Sequence, residues 1–481
     1  MTDWTLASVA EAIRTRRVSP VEVVRACLER IERLDATLRA FITVDREGAL
    51  REAAGLEAEV MAGRLRGPLH GVPLAYKDLC FIRGLPTSCG TRTPEYFSDR
   101  DEATTVVRLR AAGAVTLGKL NMTELALGPF GENDHHGDAQ NPWKPGHVAG
   151  GSSSGSGVAV AAGFVVGALG TDTGGSIRLP AACCGIVGLK PTYGRVSRAG
   201  VMPLSWSLDH IGPMTRTVRD AALMLAVIAG RDARDATTSH RSVPDYATVT
   251  ARPPSPLIIG VPENYYFDRI DDEVAEAVDA AARVLASLGM KVEPLRVPDP
   301  EVMSSVANIL ARSESAAIHA RVMRDRPHEL QPQVRERIEP GFQISAFDYL
   351  QAARLRARLA RGFIGEVFGA VDVVVAPTIP EPPPTLEEAR RGTAAERIAR
   401  MGRFSRLTRP FNGLGLPALS VPCGFSGDGR PIAFQLVGRP FAEATLLRLA
   451  HAYEEAAGWQ TVLNGGPEMA PKPPPLGTGP A

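Results

Sequence analysis

The sequence predicts an α/β fold. Apolar strand-like runs alternate with amphipathic helical stretches, glycines close the helices, and 44% apolar against 22% charged residues suits a core-forming chain. The first 60 residues read as helical. Ser19 before Pro20 is an N-cap with proline at the first helical position, and Val21, Val24, Leu28, Ile31 and Leu34 then mark one face. Residues 71–76 read as a buried strand, 105–112 as a helix stopped by Gly113, 114–118 as the next strand, and 165–170 as another. A second α/β stretch follows residues 251–256. It holds a strand at 257–261 and a helix capped by Asp271 or Asp272, with Val274, Val278, Ala281, Leu285 and Leu288 on one face and Gly289 at its end. Residues 371–376, 418–422 and 432–437 are further strands, and 441–459 form a closing amphipathic helix. The Pro- and Arg-rich stretch 377–406 is a long connection, and such connections often border binding sites. One domain is expected over 1–463, with 1–65 as its helical N-terminal part and 464–481 as a disordered Pro/Gly-rich tail.

Composition narrows the function. Lys+Arg 54 against Asp+Glu 53 gives no basic excess, which argues against a nucleic-acid partner. The arginines of 354–361 and 390–406 read as solvated helix faces. No apolar leader opens the chain, and the most apolar run, 158–169, is too short to span a bilayer, so no membrane partner is expected. Six cysteines (27, 80, 89, 183, 184 and 423) show neither metal-type pairs nor disulfide density, which points to the cytoplasm.

The chemistry concentrates in residues 150–191. GGSSSGSG at 150–157 runs straight into an apolar element, as a flexible linker would not, and TDTGGSIR at 171–178 follows an apolar strand. Consecutive glycines beside a serine let several N–H groups point at one spot, the arrangement an oxyanion hole needs. A serine nucleophile needs a base. The residues alone leave three arrangements open: Ser153 in a G-x-S-x-G elbow with a histidine base, a metal at Asp134, His135, His136 and Asp138, or a neutral lysine base at Lys77. The elbow lacks a preceding strand, and adjacent histidines on a loop diverge, so that pair reads as a solvated loop and no metal is expected. Lys77 stands at the end of an apolar strand, where burial can hold it neutral at a cost of roughly 4–5 kcal/mol.

Together these segments resemble the amidase signature family. The matching pieces are GVPLAYKD (71–78), GKLNMTE (118–124), NPW (141–143), the 150–157 loop, 170–180, GLKPT (188–192), DHIGP (209–213), GLPA (415–418), SVP (420–422) and QLVG (435–438). The resemblance implies a large central mixed β-sheet flanked by helices on both faces. It places Lys77 as base, Ser152 (after a cis peptide bond) as proton shuttle and Ser176 as nucleophile. The N–H groups of Thr173, Gly174, Gly175 and Ser176 become the oxyanion hole, supported by Ser153, Asp172 and Arg178. Ser154 stands where the family loop more often has glycine. No cofactor is implied. The expected activity is hydrolysis of C–N bonds in small apolar or aryl amides. Carbamate or ester hydrolysis, and the glutaminase component of a tRNA-dependent amidotransferase, are the alternatives. Leu179, where that component commonly carries glutamine, and the 204–208 stretch around Trp206 favour a stand-alone hydrolase. Met122, Pro129, Phe130, Gly131, Leu179 and Trp206 are the expected substrate contacts, with 309–321 and 377–406 as specificity elements. The expected partners are a small-molecule amide or carbamate alone, with no nucleic acid, on a monomer or homodimer.

Overall fold

The structure, a computed structural model, describes residues 4–459. The expected tail, 464–481, lies outside them.

Eleven strands make one mixed sheet: β1 Phe41–Val44, β2 Pro73–Lys77, β3 Val115–Leu120, β4 Gly167–Asp172, β5 Val187–Lys190, β6 His210–Thr215, β7 Ile258–Pro262, β8 Lys291–Leu295, β9 Val373–Pro377, β10 Ala418–Phe425 and β11 Pro431–Gly438. Their order is β1-β3-β2-β4-β6-β5-β10-β11-β9-β7-β8. β3, β2 and β4 run parallel at one end and β9, β7 and β8 at the other, with antiparallel strands between. Strands β2 to β6 are buried along their whole length because helices cover both faces, which is why β2, β3 and β4 read as apolar runs, whereas β5 and β6 do not read as strands from the pattern. In β2, Leu74 and Tyr76 pack into the core beside helices Leu6–Arg14 and Val218–Ile228. Ala75 points the other way, into the core under Pro20–Leu38, Arg46–Met61 and Ser154–Ala161.

Local signals hold at the caps. Ser19 accepts from Glu22 N and Glu22 reaches back, a full capping box, and Asp271 rather than Asp272 caps Asp272–Ser287. Two expectations change. The N-terminal part contains β1, which pairs antiparallel with β3. The 377–406 connection holds helices Leu386–Arg390 and Ala394–Phe404, each rich in helix formers and started by a threonine capping box. Several strands also sit one or two residues further along than the apolar pattern suggests. β2 therefore includes Lys77 and β4 includes Asp172, so polar side chains end both strands. None of the described helices is long and apolar enough to cross a membrane.

Candidate active site

β2 and β4 are parallel neighbours, so Lys77 and the Thr171–Asp172 pair emerge together at their carboxyl ends. Lys77 is fully buried. Its Nζ is hydrogen-bonded to Ser152 Oγ at 2.7 Å and to Thr171 Oγ1 at 2.9 Å. Burial pushes its ammonium down to about 7 from the usual 10.5, against a weaker upward pull from Cys80, Asp209 and Asp172. Asp78, the adjacent carboxylate, faces away. It pairs with Lys119 at 2.9 Å and accepts from Ser88 N at 3.0 Å, so it does not hold Lys77 charged.

Ser152 follows a cis peptide, Gly151–Ser152. The GKLNMTE segment supports this loop: Thr123 N donates to Ser152 O at 3.1 Å, and Gly155 N donates to Asn121 O at 2.8 Å. A Cβ at Gly155 would stand 2.3 Å from Ala40 O, so only glycine fits. Ser154 begins helix Ser154–Ala161 with ordinary helical angles, so the serine in place of glycine costs no backbone strain. The elbow reading of Ser153 fails on contacts: its Oγ bonds the backbone of Thr171, not a histidine. His210, a possible base, is buried with Nδ1 on Asp172 O at 3.1 Å. His135 and His136 are half-buried rather than fully solvated. They bond Glu124 Oε1 at 2.8 Å and Thr91 O at 2.9 Å, each pointing its own way.

Ser176 ends the glycine loop and lines a cavity. The loop is tied from below. Asp172 accepts from Gly175 N at 2.7 Å, Arg178 Nε at 3.0 Å and Asn412 Nδ2 at 2.7 Å, while Arg178 also reaches Gln435 Oε1 at 2.8 Å. Burial alone would raise the Asp172 carboxyl. The Arg178 charge and hydrogen bonds outweigh it, with Lys190 and Asn412 adding to them, and hold it well below the usual carboxylate range. From the side, Thr173 Oγ1 donates to Asp209 Oδ1 at 2.5 Å and Thr408 Oγ1 to Gly174 O at 2.7 Å. Gly175, expected among the oxyanion donors, spends its N–H on Asp172. The N–H groups of Thr173, Gly174 and Ser176 have no acceptor among the described residues.

The expected substrate contacts divide. Pro129 and Leu179 line the cavity. Met122 and Phe130 are core residues, the latter packed on Phe404 at 4.9 Å, and Gly131 is buried against Ser154. Trp206 is exposed and lines a neighbouring cavity with Thr171 and Asp209. The two expected specificity elements do contribute, through Ala311, Arg312 and Ser315 and through Ile398, Gly402 and Ser405. The lining is mixed: Leu127, Leu179, Leu204 and Ile398 give it apolar surface, while Arg312, Arg337, Arg409 and Glu336 also face the cavity. Thr171, Asp209, Thr408, Asn412, Arg337 and Arg409 went unpredicted as site residues. The polar ends of β4 and of the 415–418 motif are the signals that pointed nearest to them.

The family model described as Amidase matches residues 22–447. Among curated proteins, the chain resembles the A component of the glutamyl-tRNA(Gln) amidotransferase of Geobacter metallireducens, with 38% identity over 96% of this chain and 99% of that one. Among solved structures, an inhibitor-bound vestigial protein complex bearing on the origins of an s-triazine catabolic enzyme superposes with TM-score 0.88. It is 33% identical and covers 94% of this chain and 98% of its own. A 6-aminohexanoate cyclic dimer hydrolase complexed with substrate gives 0.86 and 29%, covering 96% and 98%. The first of these overturns the partner expectations. A relative matching end to end is one component of an enzyme acting on glutamyl-tRNA, so near-neutral charge neither excludes nucleic acid nor implies a lone chain or homodimer working on small molecules only. Net charge is a whole-chain sum, and in an assembly other subunits can carry the contacts to phosphate.

Proposed function

The chain belongs to the amidase family, whose members hydrolyse C–N bonds, and from that premise we propose an acyl-enzyme mechanism on Ser176. Neutral Lys77 takes the Ser152 proton while Ser152 takes that of Ser176, whose Oγ attacks the amide carbonyl. The N–H groups of Thr173, Gly174 and Ser176 receive the oxyanion. The C–N bond then breaks, and Ser152 returns a proton to the departing nitrogen. Water enters by the same relay in reverse, releasing the carboxylate and restoring Ser176. The observation that carries this reading is the buried Lys77–Ser152 hydrogen bond at 2.7 Å, with Lys77 lowered to about 7: a base strong enough to act and neutral at working pH.

The setting that the relatives favour is the amide-opening component of an amidotransferase, which frees ammonia from a carboxamide, glutamine above all, for partner subunits to pass to a tRNA-linked acceptor. End-to-end coverage of such a component at 38% identity supports it. The test is ammonia release from L-glutamine with and without partner subunits and glutamyl-tRNA(Gln), using Ser176→Ala as blank. Stimulation by the partners is expected. Equal release without them makes the chain a stand-alone glutaminase, and no release under either condition moves the assignment to the second reading, in which the amide is a carboxamide other than glutamine. The three arginines facing the Ser176 cavity favour that second reading.

A further inference from the structure

Oxyanion stabilisation and proton relay leave the charge of the Ser176 cavity unexplained. Three helices each present a guanidinium to it: Arg312 from Pro300–Asp325, Arg337 from Pro332–Ile338 and Arg409 from Arg409–Gly413. Arg409 lies against the glycine loop, its Nε 3.8 Å from where a Cβ on Gly174 would stand, and it reaches Ser304 Oγ at 3.4 Å. Arg337 Nη1 touches Met401 Sδ at 2.8 Å, and its helix is anchored at the other end by Gln331 N on Glu124 Oε2 at 2.8 Å. Arg312 is exposed at the cavity's edge. None of the three pairs with a carboxylate among the described residues. The one acidic side chain on the wall, Glu336, is held by Arg397 at 3.1 and 3.2 Å. Glu132, whose charge acts on Arg337, is itself lifted by burial to about 7. Burial first, then the charges of Arg409 and Arg312, lowers Arg337 to about 10, the mark of guanidiniums crowded without counter-charge.

An unpaired, partly buried cationic cluster beside a nucleophile is a binding site waiting for an anion. Where the leaving group is ammonia, it is too small to carry recognition, so the anion belongs to the acyl side. An ammonium such as the α-amino group of glutamine would meet three like charges and no free carboxylate. We propose that the cavity binds an amide whose acyl group ends in a carboxylate and bears no ammonium, the half-amide of a dicarboxylic acid. Arg337 and Arg409 hold the carboxylate, and Arg312 draws it in from solvent. This assignment rests on Ser176 being the nucleophile, as in the preceding reading.

The test measures protection of Ser176 from a fluorophosphonate label, followed by intact-protein mass spectrometry, and needs neither turnover nor partner subunits. Glutaramate is compared with pentanamide, which lacks the carboxylate, and with L-glutamine, which adds the ammonium. Glutaramate is expected to half-protect at concentrations on the order of 10- to 100-fold lower than either, the span of a charge-assisted contact. Arg337→Gln should remove that preference and Arg337→Lys restore part of it. Arg312→Gln, at an exposed position that does not threaten folding, should reduce the preference in low salt more than in high salt. Equal protection by all three compounds, or stronger protection by pentanamide or glutamine, overturns the inference and leaves the nucleophile standing. A folded protein whose Ser176 takes no label overturns both.

Discussion

Replacing Lys77 by methionine should make the protein more stable and inactive at neutral pH. Lys77 titrates at about 7 in the folded chain and at 10.5 when free, so the folded state binds fewer protons across that window and stability rises with pH through it. At pH 7.5 protonation favours the unfolded chain by about 4 kcal/mol, and at pH 10 by about 1 kcal/mol. Methionine abolishes that difference but forfeits the bonds to Ser152 and Thr171, together roughly 2 kcal/mol. The variant should therefore gain about 2 kcal/mol at pH 7.5 and lose about 1 kcal/mol at pH 10. Urea denaturation at the two pH values reads this change of sign, and an activity assay should show a loss on the order of 10²- to 10⁴-fold. A variant less stable by the same amount at both pH values would mean that Lys77 is not depressed, and the neutral-base mechanism would go with it.

Three further outcomes follow from contacts around the loop. Arg178→Met leaves Asp172 buried without its counter-charge and should cost about 3–5 kcal/mol by urea midpoint. The folded Asp172 carboxyl lies below its unfolded value, so its stabilisation is present above the usual carboxylate range and lost in stronger acid; the variant should show a flatter acid limb. Gly175→Ala puts a Cβ 2.3 Å from Thr408 Oγ1 at a residue with φ of 136°, and should lower kcat by about 10²-fold or more while circular dichroism stays unchanged. Lys119→Met strands Asp78 in the core and should destabilise by roughly 3 kcal/mol, with much of the loss recovered by adding Asp78→Asn.

How far the sequence reaches depends on how local the determinant is. Caps such as Ser19 and Asp271 and the apolar runs of β2, β4 and β9 are set by neighbours a few residues away, and they were legible. Lys77, Ser152 and Ser176 were legible through family resemblance; periodicity alone left Lys77 indistinguishable from a solvated lysine at a strand end. The partner of Asp78 is 41 positions away on β3, and its direction was unreadable until β2 and β3 were paired. Trp206 shows the opposite failure: an aromatic residue near the motifs suggests an apolar pocket, but which cavity it faces is decided by the path of the chain. The cationic wall was hidden for the same reason, since Arg312, Arg337 and Arg409 sit on separate helices and meet only in three dimensions.

That separation divides the labour of the site. The relay stands on β2, β4 and the loops after them, whereas the charged wall comes from helices between residues 300 and 413. Lys77 owes its depressed value to burial, opposed by an upward pull from Cys80, Asp209, Asp172 and Cys89, and none of these belongs to the wall. Changing the wall should therefore change which amide is taken without changing when the base is ready. Arg337→Gln should raise KM for a carboxylated amide by on the order of 10-fold or more, while kcat/KM keeps the acid limb near 7 expected of the parent. Measured across pH 5.5–9, a limb that moved with the arginine would show that the guanidiniums set the charge state of Lys77, and that recognition and catalysis are one electrostatic unit.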